Sequence, residues 1–184
     1  LRMRPDRIVI GELRGGEALD LIQAMTSGHG GCLTTLHATY PRDVLTRLET
    51  MAMMADIELP LAALRAQIAS AVDIVVQVSR FRDGTRKITH ISEVCGFDHA
   101  SGAYAVNDLF VRRVLGKDRN GQVRSELVPT GTLPSAMDAI EVMGLEIPEA
   151  MREAAMNDRP TAVADPKAPG RHAVDKRPPT TRAT

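Results

Sequence analysis

A carboxylate, a guanidinium and an imidazole stand where apolar runs of this sequence stop. Glu12 follows Arg7-Ile8-Val9-Ile10-Gly11, Arg14 comes two residues later, and His37 closes the run Gly31-Cys32-Leu33-Thr34-Thr35-Leu36. In open α/β sheets the carboxyl ends of strands collect loops and helix N-termini, so ligands gather there. A carboxylate at such an end can polarise a water molecule or hold the water shell of a magnesium ion. The same residues admit a plainer reading. Glu12 would then cap the following helix and pair with Arg14, and His37 would be a hydrogen-bonded loop residue. His29 would cap a helix C-terminus, and Cys32 would be a small core residue.

These side chains need elements to position them, and the pattern supplies an alternation of strand and helix. Residues 7–10 form a short apolar run without alternation, which predicts a strand buried on both faces of a parallel sheet. Gly15 and Gly16 allow a sharp turn. From Glu17 a helical period takes over, with Leu19, Ile22 and Met25 or Thr26 on one side, ending near Gly28. Residues 31–37 read as a second strand. Pro41 opens a helix with Val44, Leu45, Leu48, Met51 and Ala52 at helical spacing, and Pro60 opens another with Leu61, Leu64, Ile68 and Val72 on its buried face. Met51, Met53 and Met54 are core filler or part of an interface.

Beyond residue 72 the pattern becomes antiparallel. Residues 73–79 read as a strand, Asp83-Gly84 carries a tight-turn signal, and residues 87–94 alternate as its partner. Weaker strands follow over about 104–111 and 123–129, around a polar turn at 116–121, then short helices over 134–143 and 148–156. The expected fold class is α/β, with the sheet extended by antiparallel edge strands. From about Asp158 to Thr184 proline, alanine, threonine and charge leave no periodic apolar face, which predicts a disordered tail.

Composition narrows the function. The 184 residues carry 23 Lys and Arg against 23 Asp and Glu, so no global field draws the chain to nucleic acid or an anionic membrane. Aromatics make up 3%, too few for a base-stacking surface. Cys32 and Cys95 lack the paired spacing of a zinc site or disulfide framework, which suits a reducing cytosol. No apolar run approaches the roughly 18 to 20 residues that span a bilayer. Leu1 stands a few residues before a core strand, and the expectation is of a fragment whose N-terminal portion is missing.

The ordered set RPDRIVIGELRGGEALDLIQAMTSGHGGCLTTLHATYPRDVLTRLE, continuing through ALRAQIASAVDIVVQVSRFRDGTRKITHISEV to about Met151, resembles the type II/IV secretion ATPase superfamily, and especially its CpaF-like branch that powers tight-adherence pili. So long a run of ordered motifs is far more specific than one short motif. The resemblance implies a RecA-like P-loop NTPase core, of which residues 1–96 would be the C-terminal part, with a small α+β extension over 97–157 and the tail over 158–184. It makes Glu12 the catalytic Walker B glutamate and His37 the histidine-box residue near the γ-phosphate. Gly11 stands where aspartate is common, so Glu12 does the acidic work alone, with no direct metal ligand and magnesium met through the water shell of Glu12. Arg14 matches the arginine after Gly-Glu-x, and the following Gly15, where many relatives have aspartate, favours the CpaF-like branch. His29 matches the first histidine of the box in a structural role, and Thr34 and Thr35 orient the site through their hydroxyls.

The cofactors implied are ATP and Mg2+. The partners implied are copies of itself in a homo-hexamer and inner-membrane platform proteins, at the cytoplasmic side of that membrane, with no nucleic acid. No G-x-x-x-x-G-K-[ST] loop occurs, nor the family's aspartate box, so the chain reads as the C-terminal half of an ATPase that alone binds ATP weakly or not at all. Two alternatives stay open. One is a catalytically inactive partner that joins rings or docks on a platform, and the other is a RecA-like nucleic-acid translocase.

Overall fold

The computed structural model describes residues 5–57 and 59–156. The expected disordered tail lies outside the described residues. Helices and strands alternate through the first half: β1 (Ile8–Ile10), α1 (Glu17–Thr26), β2 (Cys32–Thr34), α2 (Pro41–Ala52) and α3 (Leu61–Ala71). The second half holds β3 (Ile74–Arg80), β4 (Arg86–Asp98), β5 (Ala103–Lys117), β6 (Val123–Pro129), α4 (Met137–Val142) and α5 (Glu149–Met156). The class is mixed α/β with an antiparallel sheet. No helix among the described residues is long and apolar enough to cross a membrane.

β1 and β2 pair in parallel, with Ile8 opposite Cys32 and Ile10 opposite Thr34. β3 to β6 form a separate antiparallel sheet in sequence order. The antiparallel strands therefore do not extend the parallel pair by hydrogen bonding among the described residues, as the sequence had suggested. The sequence also predicted β1 to be buried on both faces. Only the Ile10 and Cys32 side meets the core, while Val9 and Leu33 are exposed. No described element covers the second face, which is why a strand with the apolar run of a doubly covered sheet shows solvent.

The core forms where α1, α2 and α3 meet the strands. Leu19 and Ile22 of α1, Leu45 and Leu48 of α2, and Leu64 and Ile68 of α3 are buried, and Val75 and Val94 join them from the antiparallel sheet. α1 buries more than one stripe, Leu21 and Ala24 included, because it packs on both α2 and α3. Leu61, expected on the buried face of α3, is exposed at its first turn. Of the three methionines, Met51 is core, and Met53 and Met54 are exposed.

β4 and β5 run past the ends that alternation suggested. Register shifts at Val94/Gly96 and Val114/Gly116 mark bulges whose glycines sit at φ of 135° and 133°, a region closed to other residues at low cost. The bulge breaks the two-residue period without ending the strand. Position 96, the boundary drawn from sequence, falls inside β4, and β3 to β6 form one sheet across it.

Candidate functional site

The segment after β1 alternates. Leu13 is buried, and its N–H donates to Thr35 O at 2.9 Å. Glu12 and Arg14, one residue to either side, therefore project together on the outer side. Arg14 Nη2 lies 2.6 Å from Glu12 Oε2, and His37 Nε2 lies 3.2 Å from Glu12 Oε1. One carboxylate thus meets a cationic side chain from its own loop and an imidazole from the loop after β2. The Thr35 hydroxyl donates to Gly11 O at 2.6 Å and fixes the two strand ends relative to each other just before Glu12.

The start of α1 completes the frame. Glu17 Oε1 accepts the N–H groups of Arg14 at 2.7 Å and Gly15 at 3.1 Å. Glu17 thereby holds the amides that the plain structural reading assigned to Glu12, and Glu12 makes the pairing with Arg14 but caps no amide among the described residues. The signal lay in the sequence as an acidic residue in the first turn, where orphan N–H groups and the helix dipole favour negative charge. Gly16 serves close packing rather than a special turn. Its φ of −59° suits any residue, but a Cβ there would sit 3.1 Å from the Ala55 backbone.

Electrostatics set the state of the carboxylate. The hydrogen bond from Arg14 holds the Glu12 carboxyl below its ordinary range, with the charges of Arg14 and His37 acting in the same direction and partial desolvation opposing. Glu12 in turn raises Arg14. The site is open: the side chain of Glu12 is 29% exposed and that of His37 88%. Beside it a groove of about 770 Å3 is lined by Arg14, His37, Thr46, Arg47 and Thr50.

The other residues singled out from sequence divide by location. Thr34 shares the end of β2 with Thr35, and its buried hydroxyl has no partner among the described residues. His29 precedes β2, so it stands at the opposite edge of the parallel pair from Glu12 and His37. Its N–H donates to Ala24 O at 3.3 Å, beyond Gly28 at φ 93°, which closes α1 in a Schellman arrangement. Cys32 packs against the core, and Cys95 is a free exposed thiol.

Two buried carboxylates escaped sequence reasoning. Glu49, 5% exposed, accepts Arg65 Nε at 3.0 Å and the Tyr104 hydroxyl at 2.7 Å, tying α2 to α3 and to β5. Arg65 also lies over the Phe97 ring, which meets Tyr104 edge-on. Glu93 accepts the N–H and hydroxyl of Ser135. Glu49 sits four residues after Leu45 on the core stripe of α2, a placement that could have flagged it.

No group of three or more His, Cys, Asp or Glu among the described residues could hold a metal ion. For magnesium the site offers one carboxylate, whose two oxygens are held by Arg14 and His37.

The type II/IV secretion system protein family matches residues 1–114. The type IV secretion system protein VirB11 of Brucella suis is 43% identical over 97 residues, 51% of this chain and 26% of its own. The type IV secretion system protein PtlH of Bordetella pertussis is 49% identical over 82 residues, 44% of this chain and 24% of its own. The crystal structure of the VirB11 ATPase of Brucella suis in complex with sulphate superimposes at a TM-score of 0.46, with 40% identity over 49% of this chain and 28% of that one. The chain spans about a quarter of the length of the curated relatives it matches.

Proposed function

The chain belongs to the type II/IV secretion system protein family, and from that premise we propose that it carries the water-positioning part of an ATP-hydrolysing site in a secretion or pilus motor. The observation that supports this most is the convergence of Arg14 and His37 on the two oxygens of Glu12, at the carboxyl end of β1. A carboxylate held below its ordinary range by a guanidinium stays ionised at neutral pH and is a weak base. Its contribution to hydrolysis is then to orient and polarise the attacking water through charge and a hydrogen bond, rather than to take up its proton at an early stage. His37, exposed on the far side of that carboxylate, can exchange Glu12 for a γ-phosphate oxygen. Release of that phosphate would return His37 to Glu12, so the loop after β2 reports the nucleotide state.

α2 begins four residues after His37 and is fixed at its other end by the contacts of Glu49 with Arg65 and Tyr104. Movement of His37 would thereby reach α3 and the antiparallel sheet as a rigid unit. In this reading the nucleotide is ATP, with magnesium met through water. The core is RecA-like, the working form is a homo-hexameric ring at the cytoplasmic face of the inner membrane, and platform proteins receive the motion. The Gly-Glu-Leu-Arg-Gly order at residues 11–15 supports the CpaF-like branch of the family.

The test is Glu12→Gln in a hydrolysing, longer version of the polypeptide. Turnover should fall by at least about 100-fold with nucleotide binding retained. Hydrolysis at the unsubstituted rate would remove Glu12 from the reaction.

A further inference from the structure

The net charge of zero conceals a segregation along the antiparallel sheet. Residues 80–87 carry Arg80, Arg82, Arg86 and Lys87, and residues 112–126 carry five more arginines and lysines, against three carboxylates, Asp83, Asp118 and Glu126. Tertiary structure brings the two stretches together. The Val123 N–H donates to Asp83 Oδ2 at 2.6 Å, Lys87 Nζ donates to Val123 O at 2.7 Å, and Arg112 Nε donates to Ile88 O at 2.5 Å, so the β3–β4 turn lies against the start of β6. Two of the three carboxylates are turned to backbone amides, Asp83 to those of Val123 and Thr85, and Asp118 to those of Asn120 and Gln122. Among the described residues, no arginine or lysine of this end stands in an ion pair.

The opposite end of the sheet has the reverse sign. β6 runs about 20 Å from Val123 to Pro129, and α4 and α5 follow it. Ser135 is held by Glu93, and Gly131 lies against Ala154 of α5, so the segment stays at that end. Residues 134–156 carry five carboxylates and a single cation, Arg152. Asp138, Glu146, Glu149 and Glu153 are exposed, and so are Val142, Met143 and Leu145 beside them. Val114 and Leu115 are exposed in the same way among the arginines of the first end. A separation of about 20 Å exceeds the screening length of about 8 Å at physiological salt, so the two ends cannot neutralise each other within one chain.

We propose that the two ends meet between copies: the basic end of the antiparallel sheet in one copy docks on the acidic, aliphatic α4–α5 surface of the next. Opposite charge steers the approach and fixes the register, and the aliphatic side chains amid each patch supply apolar area to bury. A polyanion such as nucleic acid would satisfy the basic end alone and leave the acidic surface without a partner. Because the two surfaces differ, the contact is head-to-tail and leaves one free patch at each end of a pair, so it propagates, and makes a ring where the rotation closes. The α4–α5 surface and the turn at 118–121 lie beyond residue 114, where the family match ends. The contact rests on charge placement and not on hydrolysis, so loss of the ATPase reading would leave it standing.

Sedimentation velocity on the 184-residue chain tests it. At submillimolar chain and about 50 mM salt the weight-average mass should rise with concentration to at least about 1.5 times that of one chain, and return to one chain at about 0.5 M salt, where screening leaves a reach of a few ångströms. Arg119→Glu with Arg124→Glu reverses the first end, and Glu146→Lys with Glu153→Lys reverses the second. All four side chains are exposed, so each variant should unfold at the temperature of the unsubstituted chain, and if one did not fold the salt series would still decide. Each variant alone should be monomeric at low salt, and the two mixed should associate again, because each then meets the opposite charge. Monomers at every concentration and salt, association that survives either pair of substitutions, or a mixture that stays monomeric would each overturn the proposal. So would a chain that stays monomeric and binds a DNA duplex with salt-sensitive affinity, which would give the basic end to a different partner.

Discussion

The parallel pair and the antiparallel sheet of this chain hold their carboxylates in opposite ways. In the antiparallel half, Glu93 and Asp83 are gripped by backbone N–H groups: Ser135 donates to the first at 2.9 Å, and Val123 to the second at 2.6 Å. Backbone donors cannot swing away, so these carboxylates are structural pins. At the end of β1, Glu12 has, among the described residues, only side-chain partners, on Arg14 and His37, both of them exposed. Such partners can rotate off and meet a ligand. Glu49, between the two halves, is buried like a pin but held by side chains, which suits a joint. A carboxylate's role is therefore better read from what donates to it than from its position at a strand end alone.

Substitutions can break or sharpen that contrast. The largest loss of stability should come at the joint, where Arg65→Ala leaves the Glu49 charge buried without its cation. Removing one partner of a buried pair costs about 3–5 kcal/mol, and here the partly exposed Arg65 places the loss toward about 3 kcal/mol. Urea unfolding of the chain measures it, and a change below about 1 kcal/mol would make Glu49 a surface group in effect.

At the open site the expectation reverses. His37→Ala should leave the unfolding midpoint of the chain unchanged, because the imidazole is exposed, and should slow hydrolysis by a longer version about tenfold, or about 1.4 kcal/mol of barrier. A lowered midpoint with unchanged hydrolysis would move His37 from the reactive class to the structural one.

The smallest effect is expected at Asp83. Its carboxyl is lowered from 3.8 to about 2, first by the Val123 N–H and then by Thr85. A folded-state value below the unfolded one means that its stabilising contribution is present above about pH 4 and is lost as the pH falls toward 2. Asp83→Asn should lower the thermal midpoint by a few degrees at pH 6 and flatten its fall between pH 4 and 2. Parallel curves for the two chains would show that the Val123 contact contributes nothing.

The legible parts of the fold were those carried by short-range period. The apolar spacing of α2 places Leu45, Leu48 and Met51 in the core, and the Asp83-Gly84 turn joins β3 to β4 as written. Strand ends were less legible, because Gly96 and Gly116 interrupt alternation through bulges while the pairing continues. At the candidate site the types and order of Glu12, Arg14 and His37 were visible, and Glu17 was readable as a first-turn acid but not as the holder of the Arg14 and Gly15 amides. Glu49 and Glu93 were invisible as partners. Their donors, Arg65, Tyr104 and Ser135, lie 16, 55 and 42 residues away, beyond any local pattern.

By itself the sequence determined which segments become helices and strands and where a carboxylate ends one of them, because side-chain period and turn chemistry act over a few residues. Tertiary structure alone decided that β1 lies beside β2, which brings His37 to Glu12 across 25 positions. Strand pairing is a choice among distant partners, and burial and backbone hydrogen bonding settle it only once the chain has closed.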